Sequence, residues 1–130
     1  MAIYAKVEGI EEILKDLRQM EGEARQCVVD VLREETKPVV EDARSRAPKD
    51  TGAMARGIKR SISKKKLEAR ISAGGMVGGV DTYYAQFVEF GTKHMPAQPF
   101  LFPACRAHEE RIGDALSRAM YDLIRKGKAS

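Results

Sequence analysis

The sequence predicts an α+β fold: a small antiparallel sheet with a long kinked helix and a C-terminal helix packed on one face. Three observations carry this expectation. Apolar residues recur at helical spacing across about 26 residues, from Glu21 to Arg46, a rod of about 40 Å if unbroken. The same spacing returns after Ala104 and runs into a basic end. Between the two, residues 58–71 alternate with a period of two, as paired strands do. Helices and strands in separate runs are the pattern of helices segregated onto one side of an antiparallel sheet.

Each element follows from its residues. In "AIYAKV" (2–7), Ile3, Ala5 and Val7 share one face of a short strand, and Gly9 ends it. Ile10, Ile13, Leu14, Leu17 and Met20 then trace a short amphipathic helix. In the long segment the stripe is Ala24, Val28, Val31, Leu32, Val39 and Ala43. Glu21 and Glu23 suit its start, Arg44 and Arg46 its end, and Ala47-Pro48 stops it. Pro38 lies inside the stripe. It removes a backbone donor and crowds the preceding turn, so it must kink the helix or split it.

"PKDTGAMARG" (48–57) is a loop by composition. Ile58, Arg60 and Ile62, then Leu67, Ala69 and Ile71, form a β-hairpin around the turn "SKKK". Its first strand is half polar even on its better face. "GGMVGGV" (74–80) is either a flexible loop or a third strand interrupted by turns, and the whole stretch 58–80 is expected to be mobile. Asp81 or Thr82 is placed to cap a short helix carrying Tyr83, Tyr84, Phe87, Val88 and Phe90, which Gly91 ends. Ile112, Leu116, Ala119, Met120 and Leu123 mark the last helix, closed by Arg125, Lys126 and Lys128.

A chain of 130 residues suits one domain with a single core. With 43% apolar and 32% charged residues it buries a core under a heavily charged surface, which is not a disordered composition. A net charge of +4 permits contact with nucleic acid or an acidic protein without demanding either. No apolar run reaches membrane-spanning length and no secretory leader is visible, so no membrane partner is expected. Cys27 and Cys105 form no metal knuckle or disulfide framework and read as small buried hydrophobes in a reducing compartment.

Tests for chemistry are negative. His94 and His108 are the only histidines, and no further ligands complete a metal site. No nucleophile motif is present. Cys105 and His108 lie about one helical turn apart, but no third group orients them. The glycine-rich stretch lacks a P-loop ending. No catalytic residue, metal ligand or cofactor is therefore assigned. The basic run "KRSISKKK" places Lys59, Arg60, Lys64, Lys65 and Lys66 where they can meet phosphates or an acidic partner. No aromatic is interleaved for base stacking, and a solvated, edge-blunting hairpin is the simpler reading.

"RAPKDTGAMARGI" (46–58) and "YYAQFVEFGTKHMPAQPFLFPA" (83–104) resemble a family of minor tail and tail-completion proteins of long-tailed bacteriophages and prophages. The pattern is an "APxDTG" loop ending a long helix, then "VEFGT…MPAQPFLxPA" opening a C-terminal helix. Phe102 stands where that pattern often has a polar residue. The resemblance implies a non-enzymatic virion protein made in the host cytoplasm and acting at the neck or tail, in head–tail joining. It implies assembly with copies of itself, as a ring and commonly a hexamer, and with neck and tail-tube proteins around the DNA channel. Non-specific contact with channel DNA is a further expectation, and a basic nucleic-acid-binding module is the alternative function. The connector Phe90, Gly91, Thr92, Met95, Pro96, Gln98, Pro99 and Phe100 is the expected interface: Gly91 ends a helix, and the two prolines stiffen the chain beyond it.

Overall fold

The computed structural model describes residues 3–7, 10–48, 52–77 and 79–127. Along the chain run β1 (Ile3–Lys6), α1 (Glu11–Leu17), α2 (Glu23–Glu35), α3 (Lys37–Arg46) and the one-turn α4 (Ala53–Arg56). They are followed by β2 (Lys59–Ser63), β3 (Glu68–Ala73), the two-residue strands β4 (Met76–Val77) and β5 (Val80–Asp81), α5 (Ala85–Phe90) and α6 (Leu101–Gly127). The main sheet is antiparallel with order β1-β3-β2, and the α+β expectation is met. Among the described residues β4 and β5 pair with each other and form a separate two-stranded sheet in the glycine-rich stretch. Gly9, Lys128 and residues 49–51, which include part of the "APxDTG" loop, lie outside the described residues.

The central strand β3 explains the layering. Ala69, Ile71 and Ala73 are buried against the helices, with Ala5 and Ile62 beside them through the pairs Ala5↔Ile71 and Ile62↔Ala69. On the opposite face Lys6 stands directly across from Arg70. Two cations so placed repel. Glu68 resolves this by pairing with both, at 2.7 Å to Arg70 Nε and 3.5 Å to Lys6 Nζ. Arg70 also lies 4.5 Å over the Tyr4 ring, a cation–π contact that covers this face.

The long periodic segment is split, as Pro38 requires. Thr36 ends α2 and begins α3, and Pro38 occupies the first turn of α3, where its missing N–H costs little. Thr36 is fully buried, and its hydroxyl donates to Leu32 O at 2.6 Å, a bond that favours bending. The stripe Val28, Leu32, Val39 and Ala43 crosses the break without losing its burial. It packs on Leu101, Ala104, Ile112 and Leu116 of α6 within one core. α2 begins at Glu23 behind Gly22, so Glu21 stands outside the helix it was expected to start.

A polar tie joins α3 to α6. Asp42 accepts from Arg46 Nε at 2.8 Å and pairs with His108 Nε2 at 3.0 Å. Burial raises the Asp42 pKa, but the bonds from Arg46 and His108 outweigh it and hold the carboxyl below its ordinary value. Glu68 behaves alike: burial pushes it up, while Arg70 and Lys6 bring it below its ordinary value. Because both folded-state values are depressed, the unfolded chain binds more protons as the medium turns acidic. The stability these groups contribute is complete above the ordinary carboxylate range, about pH 4, and is lost as pH falls through their depressed values. The double variant Asp42→Asn, Glu68→Gln is expected to be less stable than the parent at neutral pH. Its melting temperature should fall less steeply between neutral pH and about pH 3, as read by circular dichroism.

Candidate assembly interface

Helix α5 inverts the usual rule for a short amphipathic helix. Its buried residues are Ala85 and Glu89. Its aromatics point outward: Phe90 is 62% exposed and Phe87 40%, with Tyr83 52% exposed just before the helix. Tyr83 meets Phe87 edge to face at 6.3 Å, and Phe90 lies 5.6 Å from Phe102. The expectation that Asp81 or Thr82 caps this helix is corrected. Thr82 is buried, and its hydroxyl donates instead to Gly75 O at 2.7 Å, bracing the glycine-rich hairpin. Tyr84 takes the N-cap position.

The buried Glu89 serves the start of the next helix. α6 opens "PFLFPA", with no Ser, Thr, Asp or Asn to cap it. A helix start leaves four backbone N–H groups without intrahelical partners. Glu89 Oε1 accepts from Phe100 N at 2.9 Å and Leu101 N at 2.8 Å, and Oε2 accepts from Phe102 N at 3.1 Å. The fourth residue is Pro103, which has no N–H. One carboxylate and one proline thus satisfy the whole helix start, and negative charge there is favoured by the macrodipole. The helix therefore begins at Leu101, three residues before the expected Ala104, and Phe102 lies in its first turn. The sequence does carry a signal for this role: an apolar helix start without its own cap, and a lone acid among apolar residues just upstream.

Between these anchors the chain projects. Residues 92–99 are all exposed, while Phe100 is fully buried beneath them. Thr92 N donates to Met95 O at 2.8 Å and Met95 N to Thr92 O at 3.3 Å, closing a tight turn with Lys93 and His94 at its tip. Gln98 N returns to Val88 O at 2.8 Å, fastening the far side of the loop to α5. Gly91 has φ 78°, and a Cβ there would lie 2.8 Å from Ala97 N. Only glycine fits both the conformation and the close approach. Of the expected interface residues, Phe90, Thr92, Met95, Pro96, Gln98 and Pro99 are exposed together on this loop, Gly91 is its pivot, and Phe100 is its anchor.

The loop also meets the other half of the resemblance. Pro48, Gly52 and Met54 join Tyr84, Phe87, Val88 and Met95 around a cleft of about 210 Å³. The two motifs are neighbours in space although 24 residues separate them.

The remaining candidates are elsewhere. His108 faces Asp42, and Cys105 is buried in the core with 3% exposure, closed to any substrate. The side chains of Lys59, Lys64, Lys65 and Lys66 are exposed, while Arg60 is half-buried. The backbone of the hairpin tip is tied down: Arg25 Nε donates to Lys64 O and Arg18 Nε to Lys66 O, each at 2.9 Å, and the Arg25 guanidinium also reaches Lys65 O. Leu67, at φ 50° and fully buried, plugs the turn into the core.

Glu89→Ala strands three backbone donors at the start of α6. It is expected to cost on the order of 3 kcal/mol in urea unfolding, with a visible loss of helical signal. Glu89→Gln retains an acceptor oxygen and should cost clearly less. Equal losses would mean that packing, not capping, fixes this residue.

No curated protein and no solved structure matches the chain. Residues 11–91 match the HK97-gp10-like family, described as "Bacteriophage HK97-gp10, putative tail-component". The match runs from α1 through α5 to Gly91, spans more than half of the chain, and covers the first motif and the start of the second. The chain thus belongs to the HK97-gp10-like family of bacteriophage tail components.

Proposed function

We propose that this chain is a non-catalytic structural subunit of tail completion and head–tail joining. Through α5 and the 91–99 loop it assembles with copies of itself into a ring, commonly of six, and the ring joins neck and tail-tube proteins. The observation that carries this reading is the inversion of α5. Burying Ala85 and Glu89 serves the fold, but exposing Tyr83, Phe87 and Phe90 brings a monomer nothing. Contiguous exposed apolar surface is the mark of a partner. The capped helix, the pivot and the two prolines hold the loop in one shape before it binds, which lowers the ordering cost of association. The chain is made in the host cytoplasm and ends in the virion.

The test is complementation of a phage lacking this gene. The parent chain should restore joined, infectious particles and be detected in purified tails. Pro96→Ala with Pro99→Ala should lower infectious titre at least tenfold while changing folding stability by only about 1 kcal/mol. A loss of stability in proportion to the loss of titre would reduce the segment to a structural turn.

A second reading, nucleic-acid contact, is favoured by one arrangement. Lys59 and Arg60 share a groove of about 520 Å³ with Arg33, Lys37 and Arg44, so the basic strand does not stand alone. Such a groove with the Lys64–Lys66 tip suits a phosphate backbone without base readout. Replacing Lys64, Lys65 and Lys66 by Ala should lower the slope of log affinity against log salt by roughly 2–3 for duplex DNA. An unchanged slope removes the lysines from any DNA contact.

A further inference from the structure

Among the described residues, an exposed knob and an open groove have matching chemistry. The groove, of about 600 Å³, runs between α2 and α6. Its floor is apolar: Cys27 and Val31 from α2, Ala119 and Leu123 from α6. Cys27 on α2 and Ala115 and Ala119 on α6 are the small side chains that line the channel. Its rim is acidic, with Glu23, Asp30, Glu34, Glu35 and Asp122. Among the described residues Arg33 and Lys37 offset part of this charge, lying 3.8 Å from Asp30 and 3.2 Å from Glu34. An occupant that fits must offer apolar side chains to the floor and a cation to the rim. The Lys64–Lys66 tip offers charge alone. The 92–95 turn offers both: Lys93 at its tip, with Met95 and Phe90 exposed beside it.

The same copy cannot fill its own groove. The loop is fastened to the first residues of α6, whereas the groove floor uses Ala119 and Leu123. At 1.5 Å per residue these are about 27–33 Å apart along one rigid helix. We infer that the 90–95 knob of one copy docks into the acidic-rimmed α2/α6 groove of a second copy, a head-to-tail contact between copies of this chain. This rests on the tail-subunit reading and names the surfaces that such a subunit joins. A contact between two different patches of the same chain propagates, closing as a ring or continuing as a filament.

Cys27 supplies the test, because it lines the groove while Cys105 is buried. In Lys93→Cys, an engineered thiol at the knob should cross-link to native Cys27 of the next copy with a short bis-maleimide. Burial, aided by Asp30 and Glu23, raises the pKa of the Cys27 thiol, so the reaction is run at mildly alkaline pH. A ladder beyond dimer on a denaturing gel is expected, and adding Cys27→Ser should abolish it. For the mixing arm, Met95→Asp removes the knob and Ala119→Leu fills the groove. Both sites are at least partly exposed, and unchanged melting curves confirm folding. Each variant alone should associate at least tenfold more weakly than the parent by sedimentation, whereas their mixture should form dimers and nothing larger. Absence of the ladder, its persistence without Cys27, or parent-like assembly by either variant overturns the contact. So does loss of association on replacing Lys64, Lys65 and Lys66 while Met95→Asp still associates. A chain that enters tails but gives no ladder overturns the contact and leaves the tail-subunit reading intact. A chain that gives the ladder yet is dispensable for joining does the reverse.

Discussion

The Glu89 carboxylate is the constraint on which the shape of the 91–99 segment depends. Three bonds to Phe100, Leu101 and Phe102 hold one end of α5 against the start of α6. That junction fixes where the longest helix of the protein begins. It also fixes the two ends of the intervening segment, so residues 91–99 have a set span to bridge. A side chain in the cap position would have satisfied α6 locally and left the loop free to move. A cap supplied from another helix makes loop and helix a single unit. Charge-assisted bonds from a buried carboxylate to backbone N–H groups are among the stronger ones available to a protein, and nothing buried is left unpartnered among the described side chains.

The same residue shows why parts of the fold were legible in sequence and others were not. The stripe through α2 and α3 could be read because its period matches its geometry, and Pro38 announced the break at Thr36. The hairpin could be read because β2 and β3 alternate, and the polar character of Lys59, Ser61 and Ser63 agrees with an edge strand. Gly91 as a helix terminator was equally local. Glu89 was legible only indirectly, through the uncapped start of α6, because its partners lie 11 to 13 residues away and no periodicity encodes a side chain crossing between elements. The outward turn of α5 was hidden for a related reason. Aromatic residues at helical spacing look like a core face, and only the pull of Glu89 and Ala85 inward reverses the helix. Thr82 misled in the opposite way: it has the chemistry of a cap, but the nearby Gly75 carbonyl competes for its hydroxyl.

The basic hairpin illustrates how charge and backbone separate their tasks. Its lysine side chains reach into solvent, while its carbonyls are held by Arg18 and Arg25. Arg25 also donates to Arg18 O and Met20 O, so one guanidinium clasps the α1–α2 connection to the hairpin turn. Arginine suits this task because its fork presents several donors in fixed directions. Leu67 tolerates a left-handed backbone because its side chain reaches the core, and burying a leucine contributes about 2 kcal/mol. The positive charge displayed there is thus carried on a turn whose path is set by packing, whatever partner it meets.

A protein that must join others gains from keeping its folding determinants apart from its binding ones. In α5 the two are divided between faces: Ala85 and Glu89 serve the fold, while Phe87 and Phe90 remain available. Were the aromatics needed for the core, any change of partner surface would endanger folding, since core substitutions commonly cost about 2–5 kcal/mol where exposed ones cost about 0.5. Division by face lets the loop and its aromatics vary at little cost to stability. The reverse holds at Glu89, Gly91 and Phe100, which determine the loop's shape from within the fold. Their substitution should change the exposed surface only through the fold, and that separates the frame of this segment from the side chains it displays.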